Sequence, residues 1–389
     1  MKTKIALCLT ALSPLAALAG GTFVVNYTFP SESGAGSTGA FPDWELSPKP
    51  GSTDLYGVSP KGGVYGGGTL YRVNTGGALT VLRHFGANGD INGSHPAGSV
   101  LHRSGSVYGV TATGGANNAG VLYSWHPTNG YKRLFSFGGG TAGAAPSGQL
   151  LLATDGNIYG VTKAGGACGN GTVYRFVVAT GKLTTLHSFC GLEGATPLTG
   201  VIQATNGDLY GTAYNGGFYD GGTLYRLSLN GVFNSLYSFG AGTGPRGPSR
   251  LTQGKDGLLY GTSWGGGFMD GGTVFSSSLA GAVSMRAELM RAPSGSAANP
   301  SMNAALLERF NGVFYGVTYA NGGVVFQFRA SNRSLSVIHT FDAWRPGFPY
   351  GGLTVGPDGN LWGTTTDGEM SMLSRYGAIY SIQNLVANP

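Results

Sequence analysis

The sequence predicts an all-β fold: a seven-bladed β-propeller of four-stranded antiparallel blades, its ring closed by an N-terminal strand that completes the last blade. Three observations lead there. The dipeptide Tyr-Gly recurs at Tyr56, Tyr108, Tyr159, Tyr210, Tyr260 and Tyr315, with Trp362-Gly363 as a seventh copy, at intervals of 52, 51, 51, 50, 55 and 47 residues. Each copy carries the same flanks of turn signals and β-rich runs. The two ends of the chain complement one another.

The flanks define the elements in order. Before the dipeptide sits a turn signal, as in Asp155-Gly156, Asn206-Gly207, Asp256-Gly257, Asn311-Gly312 and Asp358-Gly359. After it comes a Gly-Gly stretch and a β-rich run such as Thr69-Leu70-Tyr71-Arg72, Thr172-Val173-Tyr174-Arg175 or Thr223-Leu224-Tyr225-Arg226. Another Gly turn leads to a run ending in an aromatic, small, Phe triplet: Phe135-Ser136-Phe137, His187-Ser188-Phe189, Tyr237-Ser238-Phe239 and His339-Thr340-Phe341. A Pro-led segment such as Pro197 to Ile202 closes the unit. We label these strands A (Pro-led), B (Tyr-Gly), C (Thr-Leu-Tyr) and D (ending in the triplet). A four-stranded meander of this size cannot bury both faces, so copies must pack on each other. A ring leaves only short edges, whereas an open solenoid needs polar caps that the sequence does not show. Val24 to Phe29 read as a D strand with no A, B or C before them. The seventh unit has A, B and C, ending at Ile379-Tyr380-Ser381, and no D. The orphan strand fits that vacancy.

Composition excludes other classes. The 389 residues include 72 Gly, 11% aromatic and 10% charged residues. That is too aromatic and too weakly charged for disorder, and the glycines lack the three-residue period of collagen. Residues 1–19 read as a signal peptide: Lys2 and Lys4, an apolar run from Ile5 to Ala16, and an Ala17-Leu18-Ala19 cleavage site. The run is too short and too interrupted by Pro14 for a comfortable membrane span, and Cys8 is misplaced for a lipoprotein. Residues 20–389 form one propeller domain, expected to be an exported, soluble monomer, periplasmic or extracellular. Without Lys2 and Lys4, 21 basic residues face 17 acidic ones with no basic run. Nucleic acid is therefore not an expected partner, and no membrane span is expected.

The unit resembles the GloVer tandem repeat of exported bacterial proteins, on runs such as Asp155-Gly156-Asn157-Ile158-Tyr159-Gly160-Val161-Thr162 followed by Gly-Gly and Gly171-Thr172-Val173-Tyr174. The resemblance spans Phe23 to Ser381. It weakens in the fifth and sixth units, where Met285 to Met290 replaces the usual D strand and Asn321-Gly322 shortens the B–C loop. It implies an exported propeller-like fold and assigns no biochemical activity. Family members often carry a C-terminal surface anchor, and this sequence, through Asn388-Pro389, is expected to lack one.

Several chemical patterns dissolve into the repeat. Gly261-Thr262-Ser263-Trp264-Gly265 matches a nucleophile elbow, but the elbow needs a strand turning into a helix, and here the match is the B strand itself. Gly138 to Gly143 fits G-x-G-x-x-G without the helix that phosphate binding requires. His187 and His339 fill the aromatic slot of strand D. Asp220 and Asp270 precede Gly-Gly at equal positions and read as turn formers, with calcium binding as the alternative. The Tyr-Gly pair reads as structural, Gly admitting a close neighbouring backbone and Tyr needing a partner for its hydroxyl. No metal ligands and no cofactor are identified. Cys168 lies just before strand C and Cys190 just after strand D of one unit, at the same end of antiparallel neighbours, so a disulfide is expected.

The B–C loops and D-to-A connections should share one face. Tyr214, Trp264 and Tyr319 follow the repeat Tyr by four residues in units four, five and six, while Thr113 and Ala164 stand near that position in units two and three. Phe218, Tyr219, Phe268 and Met269 lie in the same loops, and Trp344 in the connection from blade six to blade seven. With mutual packing as the alternative, Tyr214, Trp264, Tyr319 and Trp344 are the candidate ligand-binding residues. The preferred reading is a binding or scaffold module whose partner is a glycan or an extracellular protein. A glycoside hydrolase or polysaccharide lyase at the axial mouth is an alternative, needing two carboxylates from among Asp220, Asp270, Asp342 and Asp367, which no spacing selects. A structural or protein-docking surface component is another. No catalytic residue is assigned.

Overall fold

Glycine turns a strand length apart fold the chain into short meanders. The computed structural model describes residues 21–30, 37–87, 89–289, 300–301, 304–341, 347–366 and 376–385. Blade 1 comprises Ser47–Pro48, Asp54–Ser59, Thr69–Asn74 and Leu79–His84 as strands A to D. Blades 2 to 6 repeat this order, with B strands Ser106–Thr113, Ile158–Ala164, Leu209–Ala213, Leu259–Gly265 and Val313–Thr318. Seven sheets result, all antiparallel and ordered A-B-C-D. Strand A faces the axis, where the A segments of neighbouring blades meet, as in the parallel bridge between Gln149 and Gly200. It is the least regular strand: two residues in blade 1, nine in blade 3 (Ala144–Leu152), and split in blade 5 into Arg246–Pro248 and Thr252–Gln253.

The N-terminal strand closes the ring. Thr22–Thr28 pairs antiparallel with strand C of blade 7, Ala378–Gln383, placing Thr22 opposite Gln383 and Thr28 opposite Ala378. Blade 5 differs from expectation. Met285 to Met290 does not replace strand D, because Val283–Glu288 pairs normally with strand C, and Leu289 takes the buried place of the usual Phe. Residues 1–19, read from the sequence as a signal peptide, lie outside the described residues. Among the described residues no helix is long and apolar enough to cross a membrane.

The Tyr-Gly dipeptide has two structural jobs. Its aromatic residue reaches back to the A–B turn: Tyr159 Oη donates to Asp155 at 2.8 Å, Tyr260 Oη to Asp256 at 2.7 Å, and Trp362 Nε1 to Asp358 at 2.9 Å. Its glycine makes room for a side chain rather than a backbone, which corrects the sequence reading. Gly57, Gly109, Gly160, Gly211 and Gly363 stand directly opposite Tyr71, Tyr123, Tyr174, Tyr225 and Tyr380 of strand C, and Gly261 and Gly316 opposite Phe275 and Phe326. All seven rings are buried. A Cβ added at Gly160 would sit 2.5 Å from Tyr174 Cζ.

Strand D then ties each blade to the next. Its terminal Phe packs on the strand C ring of the following blade with centroids 5.1–5.4 Å apart: Phe29 on Tyr71, Phe85 on Tyr123, Phe137 on Tyr174, Phe189 on Tyr225, Phe239 on Phe275 and Phe341 on Tyr380. His187 stacks flat on Phe233 of the next blade and His339 on Phe23, so both histidines fill aromatic slots as expected.

Gly160→Ala should therefore cost about 1–3 kcal/mol, as overpacked cores do. Tyr174→Phe should be neutral or slightly stabilising, because its buried hydroxyl has no partner among the described residues and Phe275 and Phe326 already serve in that place. Denaturant titration of both variants checks this pair of outcomes.

Candidate functional site

Strand B ends, and strand A begins, at one mouth of the central axis. Two sets of side chains surround it. One is the residue following the proline that leads strand A: Asp43, Ala97, Ser147, Leu198, Ser249, Ser301 and Tyr350. The other stands four residues after the repeat aromatic: Pro60, Ala112, Lys163, Tyr214, Trp264, Tyr319 and Thr366. Thr113 and Ala164 stand one residue beyond that position, so Ala112 and Lys163 are the true members in blades 2 and 3. Between the two sets lies a well of about 270 Å³, lined among others by Asp43, Trp44, His95, Lys163, Leu198 and Tyr350.

Asp43 and Lys163 are its ionisable walls. The Asp43 side chain keeps a little solvent contact through the mouth but is otherwise surrounded by protein, and its Oδ1 is buried with no hydrogen-bond partner among the described residues. Burial pushes its carboxyl up to about 7, against the opposing pull of a backbone hydrogen bond and the Lys163 charge. Burial likewise lowers the Lys163 ammonium, and the Asp43 charge resists this. The two groups sense each other, yet Lys163 forms no ion pair among the described residues. Two residues further along the segment that leads into strand A of blade 1, Glu45 accepts from Arg250 at 2.6 Å. These residues belong to blades 1 and 5, which are not neighbours, so the pair crosses the axis.

Tyr350, on the wall of the well, belongs to a cluster of aromatic rings. Tyr319 and Tyr350 stand 5.5 Å apart, tilted at 58°. Burial raises the phenols of Tyr214 and Tyr350, and the nearby Tyr319 adds to both shifts. Of the candidates from sequence, Tyr214 and Tyr319 thus come together, around a Tyr350 that the sequence reading did not single out. Trp264 stands beside Tyr214 across Gly247, where an added Cβ would lie 2.9 Å from the Tyr214 ring and 3.3 Å from Trp264 Cβ. Trp344, Asp342 and Asp367 lie outside the described residues. Asp43, Lys163, Tyr350 and the Glu45–Arg250 pair were missed. The register itself could have found the first three, since each occupies one of the two repeated positions above.

The other loop residues behave as structure. Asp220 and Asp270 sit at φ 53° and 55° and accept the backbone N–H of Gly216 and Gly266 at 2.9 and 2.8 Å, the hydrogen bonding of turn formers. Ser263 is fully buried and its Oγ donates to Gly265 O at 2.8 Å, so it is no nucleophile elbow. No cluster of metal-ligating side chains occurs among the described residues. Phe218 and Phe268 do not hold the loops down: they are 78% and 83% exposed. Cys168 and Cys190 are bridged, with Cα atoms 5.1 Å apart, joining the B–C loop of blade 3 to the connection leaving its strand D.

A sequence model of the Gloeobacter/Verrucomicrobia repeat matches residues 49–275 and 241–386. The chain belongs to this repeat family. No curated protein sequence matches it. Among solved structures, extracellular domains of two candidate hybrid two component systems from B. thetaiotaomicron align at TM-scores of 0.58 and 0.59, each 11% identical over 91% of this chain. This chain spans only 40% and 41% of those two chains. A candidate 6-phosphogluconolactonase from Bacteroides uniformis aligns at 0.56 and 15% identity, over 85% of this chain and 95% of its own. At these identities the likeness concerns the propeller fold alone.

Two outcomes follow for this Gloeobacter/Verrucomicrobia repeat protein. Replacing Cys168 and Cys190 together by Ser should cost roughly 3 kcal/mol by chain entropy, concentrated in blade 3 because repeat architectures unfold piecewise. Thiol titration of the denatured, unreduced parent should find no free cysteine. Separately, Asp43 ionises in the ordinary carboxylate range when unfolded but only near pH 7 when folded, so it opposes folding increasingly as pH rises across that interval. Asp43→Asn removes this effect and should gain more stability over the parent at about pH 8 than at about pH 5, as read by denaturant midpoints.

Proposed function

We propose that the protein is an exported binding module that holds a carbohydrate at the axial mouth on the B–C face. One observation carries this reading: Tyr350, with Tyr319 and Tyr214 grouped beside it from two other blades, lines a well whose walls include the Asp43 carboxyl, its Oδ1 without a hydrogen-bond partner among the described residues, and the Lys163 ammonium, without an ion pair among them. Aromatic faces stack on the C–H faces of a sugar ring, and a carboxyl beside an ammonium offers acceptor and donor to neighbouring hydroxyls. Concave pockets with a few convergent polar groups are where ligands bind. Export rests on the leader pattern of residues 1–19 and agrees with a disulfide, which belongs to an oxidising compartment.

A docking role for proteins is the second reading, favoured by one feature. Phe218, Tyr219, Phe268 and Met269 project from adjacent B–C loops of blades 4 and 5 at 78%, 53%, 83% and 49% exposure, as side chains of an interaction surface do.

A glycan array followed by calorimetry separates the two. Tyr350→Ala should weaken binding of the captured glycan by about 1–3 kcal/mol with little change in melting temperature. Trp264→Ala decides whether that ring belongs to the site: lost affinity includes it, whereas lost stability with unchanged affinity makes it a packing anchor. An array without hits, under conditions where the protein is folded, would overturn the carbohydrate reading.

A further inference from the structure

The charges around the well do not match those of a site for neutral sugars alone. Glu45 is neutralised by Arg250, and Arg246 at the rim by Asp270. His95 Nδ1, facing the well from blade 2, is engaged with Thr113 Oγ1 at 2.9 Å. Tyr350 and Tyr319 contribute uncharged phenols from blades 7 and 6, and Tyr71 of blade 1 lies close enough to sense Asp43. What remains is Lys163, a cation with no ion-pair partner among the described residues, and Asp43, whose buried Oδ1 lacks one. They come from blades 3 and 1 across the mouth, separated by more than an ion-pair distance.

We propose that this gap is filled by the carboxylate of an acidic sugar, a uronate unit, held by an N–H of Lys163 on one side and by the protonated carboxyl of Asp43 on the other. This deepens, and rests on, the carbohydrate reading above. A carboxylate supplies what both walls lack: it accepts from the Lys163 ammonium and from the Asp43 O–H. The well, at about 270 Å³, suits a single ring, and Tyr350, which lines it, offers an aromatic face for that ring. Asp43 is suited to the donor's part, since burial keeps its proton on up to about pH 7. Above that pH the two carboxylates repel, and binding must take up a proton.

The test uses the intact protein and two matched probes, an oligogalacturonate and a neutral oligogalactose, titrated calorimetrically at about pH 6 and about pH 8. At the lower pH the acidic probe should bind at least about tenfold more tightly, the scale of a charge-assisted hydrogen bond. Its affinity should fall by a similar factor at the higher pH. Lys163→Met should abolish the preference, and Lys163→Arg should retain it, which keeps the test decisive should the Met variant fold poorly. Asp43→Asn, still a donor but no longer titrating, should bind the acidic probe with a flatter pH profile. Equal affinity for both probes, a preference that survives Lys163→Met, or an unchanged slope in Asp43→Asn would overturn the proposal. Should neutral glycans bind in a Tyr350-dependent way without any preference for uronate, the carbohydrate reading stands and this inference falls. Should neither probe nor any array glycan bind, both fall.

Discussion

In every blade a strand C ring occupies the space that a side chain on the strand B glycine would take. A second glycine, just before strand C, does the same between blades. Gly68, Gly120, Gly171, Gly222, Gly272, Gly323 and Gly377 each have φ between 89° and 98°, and a Cβ on any of them would lie 2.5–2.7 Å from Cδ of the proline leading strand A of the next blade. The carbonyls of these glycines also accept the N–H of the Phe or Leu ending strand D of their own blade, at 2.9–3.0 Å. One residue therefore fixes the C–D pairing and the seat of the neighbouring blade. Only glycine adopts that φ at little cost while leaving room for the proline ring. Gly377 receives Pro42 in this way, so the seam between the last blade and the first is built like the other six.

That constraint explains why the axial mouth is free to vary. Each proline is seated by the preceding blade, and the residue after it is then presented at the mouth regardless of its own side chain. Ala97, Leu198 and Tyr350 differ widely in size and polarity yet occupy equivalent places on the same well. Variation is possible where the backbone is already held by other contacts. Gly247 shows the reverse case: where Tyr214 is bulky, the residue before the proline of the following blade is reduced to glycine so that the ring can lie against it.

Much of this was legible in the residues. The Tyr-Gly period specified blade number and the orphan Val24 to Phe29 specified closure, whereas Asp220 and Asp270 stayed both turn formers and candidate carboxylates until their hydrogen bonds to Gly216 and Gly266 were seen. The disulfide followed from which strand ends are neighbours. What escaped was the meaning of single departures from the repeat. Val283–Glu288 forms a normal strand D although its sequence looks foreign, because backbone pairing to strand C needs only extended geometry and Leu289 supplies the buried apolar end. Lys163 went unnoticed because a one-residue shift in register replaces it with Ala164, and in a strand such a shift also exchanges the faces. Glu45 and Arg250 are 205 residues apart in sequence. No local pattern predicts that two distant blades meet across an axis.

The two ionisable features of the axis are therefore not equivalent. A partly buried ion pair such as Glu45–Arg250 offsets its desolvation by mutual attraction, and losing one partner is what costs most. Its location across the ring lets it brace blades that share no interface, a structural reason for its presence. Asp43 has no such reason. Its six equivalents, Ala97, Ser147, Leu198, Ser249, Ser301 and Tyr350, are all uncharged and serve the architecture equally well, and its own carboxyl resists ionisation where it stands. A group that burdens the fold near neutral pH, its Oδ1 without a hydrogen-bond partner among the described residues and its side chain lining a well beside Tyr350, is what the proposed ligand would satisfy. Departures from local consistency of this kind mark functional-site candidates, and this one falls where the repeat leaves the side chain unconstrained.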